Sequence, residues 1–396
     1  MCDSATVNET EAVEPALETH ERWETMELRP DILRGVYAIG FEQPSPIQSR
    51  AIKPVVAGRD VIGQAQSGTG KTGCFTIAAL QRVDPSLRQT QVLILSPTRE
   101  LSQQTKKVID GIGGNVRGLR TQLLVGGTST EADSSALASQ PHVAVGCPGR
   151  VHDMLRRRRL RADGLRLVIL DEADEMLSQG FKEQVYDIFQ FLPTEVQVAL
   201  FSATLPPAVH NLTQKFMRDP LEILVKAEML TLEGIRQYYV ALDDDDQKYS
   251  TLKDLYSMLS LSQCIVYCNS VRRVQDLYDA MRADEFPVCQ MHSGMERAER
   301  QESFTSFSSG QTRVLISSNV TARGIDVQQV STVINFDVPR DVDTYLHRIG
   351  RSGRWGRKGM GINFVTRRDG RRIREIEQHY QTTIAELPAN IGDGHV

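Results

Sequence analysis

The feature of this 396-residue chain that most limits its fold is a short, wholly apolar run that recurs along it and ends each time in a polar or glycine-rich turn. Val92-Leu93-Ile94-Leu95 leads to Ser96-Pro97-Thr98, and Val143-Ala144-Val145 leads to Gly146-Cys147-Pro148-Gly149. Residues 167–170 lead to Asp171, and residues 198–201 lead to Ser202-Ala203-Thr204. Runs this short and apolar throughout read as strands buried on both faces of a parallel sheet. Helical stretches lie between them, at residues 101–109 and 181–191, so the pattern predicts a doubly wound α/β domain. Such a sheet binds ligands beyond the C-terminal ends of its strands, where the polar turns fall.

The theme restarts after residue 234. Residues 264–267 lead to Asn269-Ser270, 288–291 to His292-Ser293-Gly294, and 314–316 to Ser317-Ser318. Val333-Ile334 leads to Asn335-Phe336-Asp337, and residues 362–365 lead to Thr366. The expected layout is a disordered acidic tail (1–20), a first α/β domain (21–225), a linker (226–234) and a second α/β domain (235–396). No apolar run approaches the ~20 residues of a membrane helix, and the N-terminus opens acidic rather than basic-then-apolar. A nuclear or cytosolic location is the default expectation, with no membrane association. The net charge of -4 and pI near 6.1 exclude nucleic-acid binding by bulk charge, so any such site must be a local groove. Six scattered cysteines include only one close pair, Cys264 and Cys268, without further metal ligands nearby; buried reduced thiols are expected.

Three segments carry chemistry. Ala65-Gln66-Ser67-Gly68-Thr69-Gly70-Lys71-Thr72 follows the apolar Val61-Ile62 and precedes a helical stretch at 75–80, the setting of a phosphate-binding loop. Gly68 and Gly70 let backbone N–H groups turn toward phosphate oxygens at the positive end of a helix. Lys71 would bridge the β- and γ-phosphates and the Thr72 hydroxyl would hold Mg²⁺, while Ala65 replaces the usual first glycine. Asp171-Glu172-Ala173-Asp174 ends the most apolar strand of the first half; Asp171 is assigned to the metal and Glu172 to the attacking water. In His347-Arg348-Ile349-Gly350-Arg351-Ser352-Gly353-Arg354, Arg351 and Arg354 are candidate fingers for transition-state charge. The arginine run 156–159 reads as a solvated helix end and the aspartate run 243–246 as a solvated turn.

Together these segments resemble a DEAD-box RNA helicase, a likeness that covers residues 23–388. The resemblance implies two tandem RecA-like domains, each a mostly parallel sheet flanked by helices, in a P-loop NTPase of helicase superfamily 2. Gly40-Phe41 through Pro46-Ile47-Gln48 is similar to the family's adenine-reading Q motif, with Trp23 as its upstream aromatic. By that likeness Gln48 reads adenine, Phe41 packs on its ring, and Gly324 and Asp326 of Ala322-Arg323-Gly324-Ile325-Asp326 bind the nucleotide, Asp326 at the ribose. Pro97, Thr98, Arg99, Gly127, Pro148, Gly149 and Arg150 correspond to RNA-backbone contacts in the first domain, and Arg297, Arg300 and Ser318 in the second. Ser202, Thr204 and His347 look like the residues that couple hydrolysis to unwinding. ATP and Mg²⁺ are implied, as are RNA bound by its backbone and a monomeric chain.

Within the family the wording is similar to translation initiation factor 4A and its nuclear exon-junction relative, leaning slightly to the latter. Protein partners of the MIF4G scaffold type or exon-junction proteins are implied. Three residues depart from the family pattern: Cys147 for Thr, Asn319 for Asp after Ser318, and Arg297 for Gln three before Arg300. They leave open a nucleotide-locked RNA clamp with little unwinding. A DNA-directed P-loop NTPase is a further alternative.

Overall fold

The computed structural model describes residues 18–65, 68–178, 180–224, 235–258, 263–319, 330–352 and 359–388. After a 3-10 turn at Trp23–Met26 come α1 (Pro30–Ala38), α2 (Pro46–Val56), β1 (Val61–Gln64), α3 (Lys71–Arg82), β2 (Val92–Leu95) and α4 (Arg99–Gly113). The chain continues through β3 (Thr121–Leu124), α5 (Thr130–Ala138), β4 (Val143–Gly146), α6 (Pro148–Arg156), β5 (Leu167–Asp171) and α7 (Ala173–Ser178). Then follow α8 (Lys182–Phe191), β6 (Gln197–Ser202), α9 (Pro207–Phe216) and β7 (Leu221–Leu224). The second half comprises β8 (Ile235–Ala241), α10 (Gln247–Met258), β9 (Cys264–Tyr267), α11 (Val271–Ala283), β10 (Val288–Met291), α12 (Arg297–Ser308) and β11 (Val314–Ser317). It ends with β12 (Thr332–Asn335), α13 (Val342–Ile349), β13 (Gly359–Val365), α14 (Gly370–Tyr380) and β14 (Ala385–Glu386).

Two seven-stranded sheets result, ordered β3-β4-β2-β5-β6-β1-β7 and β10-β11-β9-β12-β13-β8-β14. The paired strands run parallel in both. Numbered from its own first strand, the second sheet repeats the order of the first. Each apolar run serves both faces of its sheet, because successive strand side chains point to opposite sides. Val92 and Ile94 enter one core with Phe75 and Phe201, while Leu93 and Leu95 enter the other with Val168 and Leu170. In the second domain Ile265 and Tyr267 take one side, and Cys264, Val266 and Cys268 the other. Each such Ile, Leu or Val contributes about 1.5–3 kcal/mol by leaving water, which is why these four-residue strands hold.

Cys74, Cys264, Cys268 and Cys289 are buried free thiols; burial holds those of Cys264 and Cys268 protonated. Among the described residues no helix is long and apolar enough to cross a membrane. The expected linker and residues 1–17 lie outside the described residues; by His20 the chain is already tied to α2 through an N–H bond to Ser49 O. Between β8 and α10, where the first domain carries its phosphate loop between β1 and α3, stand four aspartates. Asp244 Oδ1 accepts the N–H groups of Asp246 and Gln247 there, and Asp245 pairs with Lys248 and Arg273.

Candidate active site and RNA path

The nucleotide side is built on the first turn of α2. Ser45 N–H donates to Gln48 Oε1 at 2.8 Å in a capping box, and Gln48 Nε2 donates to Gly70 O at 3.0 Å. Gln48 thus ties a helix cap to the phosphate loop and keeps one donor and one acceptor position for a base edge. The close approach depends on glycine. A Cβ on Gly70, itself at φ +96°, would lie 2.7 Å from Gln48 Nε2. One on Gly73 would lie 2.6 Å from the Phe41 ring and 2.7 Å from the same nitrogen. Gly73, which the motif reading passed over, is therefore what lets Phe41 and Gln48 pack against α3. Gly73→Ala is expected to weaken ATP binding about tenfold, since such overpacking costs ~1–3 kcal/mol; a nucleotide fluorescence titration measures it. Trp23 requires a correction. Its side chain is 1% exposed in the core, its Nε1 donates to Phe41 O at 3.1 Å, and its ring stacks 6.5 Å from that of Phe41. It supports Phe41 and has no surface left to touch a nucleotide.

Gln66 and Ser67 lie outside the described residues. Gly68 (φ +87°), Thr69 and Gly70 bring the loop round to α3, whose first residues are Lys71 and Thr72. Ala65 is buried at the loop's start, its N–H bonded to Ser202 O. Lys71 Nζ donates to Ala65 O at 2.8 Å and lies 3.5 Å from Glu172 Oε1, both side chains about 95% buried at 4% and 5% exposure. Asp171 closes β5, and its Oδ2 is buried with no hydrogen-bond partner. Burial and the neighbouring Glu172 charge push the Asp171 carboxyl up to about 8, against the pull of Lys71. A divalent cation at Asp171 would satisfy that oxygen and offset both effects. No cluster of three or more acidic, His or Cys ligands exists among the described residues. That fits Mg²⁺, which takes one or two protein carboxylates and fills its shell with phosphate oxygens and water. Glu172 has φ +51°, a left-handed conformation costing roughly 1–2 kcal/mol for a residue with a side chain. The turn swings its carboxylate off the strand line toward Lys71.

Asp174 is the residue the sequence reading left without a role. Its Oδ2 accepts from Thr204 Oγ1 at 2.7 Å and lies 3.5 Å from His347 Nε2, while its N–H donates to Ser202 Oγ at 3.3 Å. The three expected coupling residues thus converge on Asp174, Thr204 and His347 at its buried carboxylate and Ser202 at its backbone N–H, and His347 reaches it from the other domain. Its position as fourth residue of the tetrad, second in α7, was the available signal.

In the second domain His347 and Arg351 are one helical turn apart and buried, Arg351 Nε donating to His347 O at 3.2 Å. Gly324, Asp326 and Arg354 lie outside the described residues. Between them in α13, Arg348 is fully buried and makes five bonds with its five N–H groups. Asn319 Oδ1 accepts two (2.9 and 2.6 Å), Asn269 Oδ1 one (2.7 Å), Asn335 Oδ1 one (3.1 Å) and Asp337 O one (2.8 Å). All four acceptors are neutral. Burial pushes the Arg348 guanidinium down to about 10. Asn319 therefore keeps the hydrogen bonds a carboxylate would make and omits its charge.

Along the expected RNA path, Pro97 and Thr98 follow β2, and Thr98 Oγ1 caps α4 by accepting Leu101 N–H at 3.3 Å. Arg99 approaches Gly126, beside Gly127 at φ +82°. Pro148 and Gly149 open α6, with Cys147 as N-cap. The Cys147 Sγ lies 3.6 Å from Ser102 Oγ, and burial pushes its thiol up to about 11, so it stays protonated. The Arg150 fork is bonded to the Asp133 carboxylate and to Thr128 Oγ1 (3.1 Å) and O (2.9 Å), with 11% of the side chain exposed. These bonds position the Gly127-Thr128 turn. Across the cleft Ser318 follows β11, Arg297 begins α12 with its side chain undescribed, and Arg300 Nη2 donates to Glu100 Oε2 at 2.9 Å. Glu100 was not foreseen. Glu100→Ala is expected to lower kcat/KM for RNA about tenfold by removing a shielded pair of ~1.5–3 kcal/mol, read from RNA titrations of the ATPase rate.

The profile of the DEAD/DEAH box helicase family matches residues 45–212, and that of the helicase conserved C-terminal domain matches residues 247–356. This chain belongs to the DEAD/DEAH box helicase family. It is 54% identical over 376 residues to the ATP-dependent RNA helicase eIF4A of Sclerotinia sclerotiorum, covering 95% of this chain and 94% of that one. Among DEAD-box structures, S. cerevisiae Dbp5 bound to RNA and ADP BeF3 superposes with a TM-score of 0.87 at 32% identity, over 94% of this chain and 96% of that one. A Dbp5 variant bound to Nup159, a Gle1 variant, IP6 and ADP reaches 0.65 at 32% identity, over 92% and 96%. Here the pairs Arg300–Glu100 and His347–Asp174 join the two domains.

Proposed function

We propose that the two domains divide one active site between them. Lys71 holds the transferring phosphate, Glu172 orients the attacking water, and Arg351 with Arg354 offsets transition-state charge from the second domain. Gln48 and Phe41 read the base, and Asp326 takes the ribose. Asp171 and Thr72 would hold Mg²⁺, which would supply charge neutralisation at the phosphates. As a DEAD-box protein the chain is an ATP-dependent RNA helicase, an RNA-dependent ATPase. The observation that carries the division of labour is Asp174, where Thr204 from the ATP side and His347 from the second domain meet on one carboxylate. Closure completes the site; RNA and ATP that both favour the closed form then bind cooperatively.

RNA is held through its backbone by the turns at Pro97-Thr98-Arg99, Gly127 and Pro148-Gly149, with Arg297, Arg300 and Ser318 opposite. The 54% identity to eIF4A supports the initiation-factor branch, and a MIF4G-type scaffold is the partner the family resemblance implies. The test is ATP hydrolysis with and without single-stranded RNA, together with strand separation of a short duplex. A rate that RNA leaves unchanged would sink this reading. The clamp reading draws on Arg300–Glu100, a direct latch between the domains; prolonged residence on RNA with a non-hydrolysable ATP analogue and no strand separation would favour it.

A further inference from the structure

The two prominent surface hollows of the chain, about 320 and about 670 Å³, adjoin each other along α5 and share Ser134, Ala138 and Arg159. Arg88, Arg158 and Arg161 line the first and Arg157 the second, on a chain whose net charge is -4. A helix end favours cations on general grounds, and that accounts for Arg156 and Arg157, which both bind Asp153. It does not account for Arg88, Arg158 and Arg159, whose side chains make no hydrogen bond or ion pair among the described residues. The backbone carries a second sign. α6 ends with Arg158 N–H bonded to Leu155 O and Arg159 N–H to Met154 O, a Schellman closure with Arg158 at φ +54°. Glycine adopts that conformation freely; an arginine there is held against its preference.

We propose that this arginine groove binds the phosphodiester backbone of RNA extending beyond the cleft. The groove's wider hollow includes Thr130, two residues past Thr128, which fixes the Gly127 turn of the expected RNA path. A strand leaving the first domain at that turn meets the groove next. Arginine forks match phosphate oxygens two at a time, and the Thr130 and Ser134 hydroxyls add donors. The proposal rests on the RNA path placed across Gly127, and the groove makes affinity depend on RNA length beyond the cleft.

The test compares single-stranded RNA of about 6 nucleotides, confined to the cleft, with RNA of about 16, in the presence of a non-hydrolysable ATP analogue and over a range of salt. Arg158→Gly with Arg159→Ala is expected to remove about 1.4 units from the salt slope for the longer RNA, at ~0.7 per lost phosphate contact on a single strand. Binding of the shorter RNA and its stimulation of ATP hydrolysis stay unchanged. Glycine suits φ +54°, so thermal stability does not fall. Replacing both arginines by lysine keeps most of the slope. Equal loss on both RNAs, or full retention on the longer one, overturns the proposal; retention would leave the groove to an acidic protein segment. Failure of the short RNA to bind the unsubstituted protein would instead remove the cleft reading itself.

Discussion

Glu172→Gln is expected to slow RNA-stimulated ATP hydrolysis by about 10²–10⁴-fold, the contribution of a positioned general base, while nucleotide and RNA binding persist. The exchange preserves shape at a residue held at φ +51°, so the backbone turn has no new reason to relax. It also removes one of two like charges that face each other. The Glu172 charge is one of the causes holding the Asp171 carboxyl up, and its loss leaves Asp171 more readily ionised and a better metal ligand. ATP affinity in the presence of Mg²⁺ is therefore expected to hold or tighten as turnover disappears. A parallel fall in both would mean that the site had unfolded and that Glu172 is structural. Steady-state ATPase assays beside nucleotide titrations distinguish these outcomes.

Arg348→Met is expected to destabilise the second domain by at least about 3 kcal/mol, since a buried acceptor left without its donor costs ~1–3 kcal/mol and several are emptied at once. Asn269, Asn319 and Asn335 would each lose the donor that satisfies a side-chain oxygen. Thermal unfolding reads the loss. Because Arg348 fastens α13 to the ends of β9, β11 and β12, His347 and Arg351 lose their footing with it. The companion change, Asn319→Asp, has the opposite sign. It places a counter-charge where the guanidinium now meets a neutral amide, and charge-assisted bonds exceed neutral ones by about 1 kcal/mol. A higher melting temperature and an unchanged KM for ATP are expected. No gain, or a loss, would show that carboxylate desolvation outweighs the attraction.

The apolar runs made the central strands of both sheets legible, since a strand covered on both faces has no polar position to blur it. β3, β7 and β8 escaped because they are partly exposed; β7 buries fully only Ile223 of its four residues. The site divides the same way. Lys71, Asp171 and Glu172 were readable because their chemistry is written in contiguous residues with a strand before and a helix after. Trp23 was misplaced because a motif shows residue type and not whether the side chain faces inward. Glu100 and Asp174 were missed because their partners, Arg300 and His347, lie about 200 and 170 positions away, and only folding brings them together.

The repeated strand order has a consequence for stoichiometry. A duplicated sheet inherits a duplicated crevice, and the helix start after β8 occupies the place that α3 occupies after β1. In the second domain the oxygen that accepts those helix-start N–H groups belongs to Asp244, within four consecutive aspartates. An internal carboxylate has taken the seat of a phosphate and its neighbours repel another. One nucleotide per chain is therefore the expected stoichiometry, counted by equilibrium titration, with the second domain left to act on the first domain's.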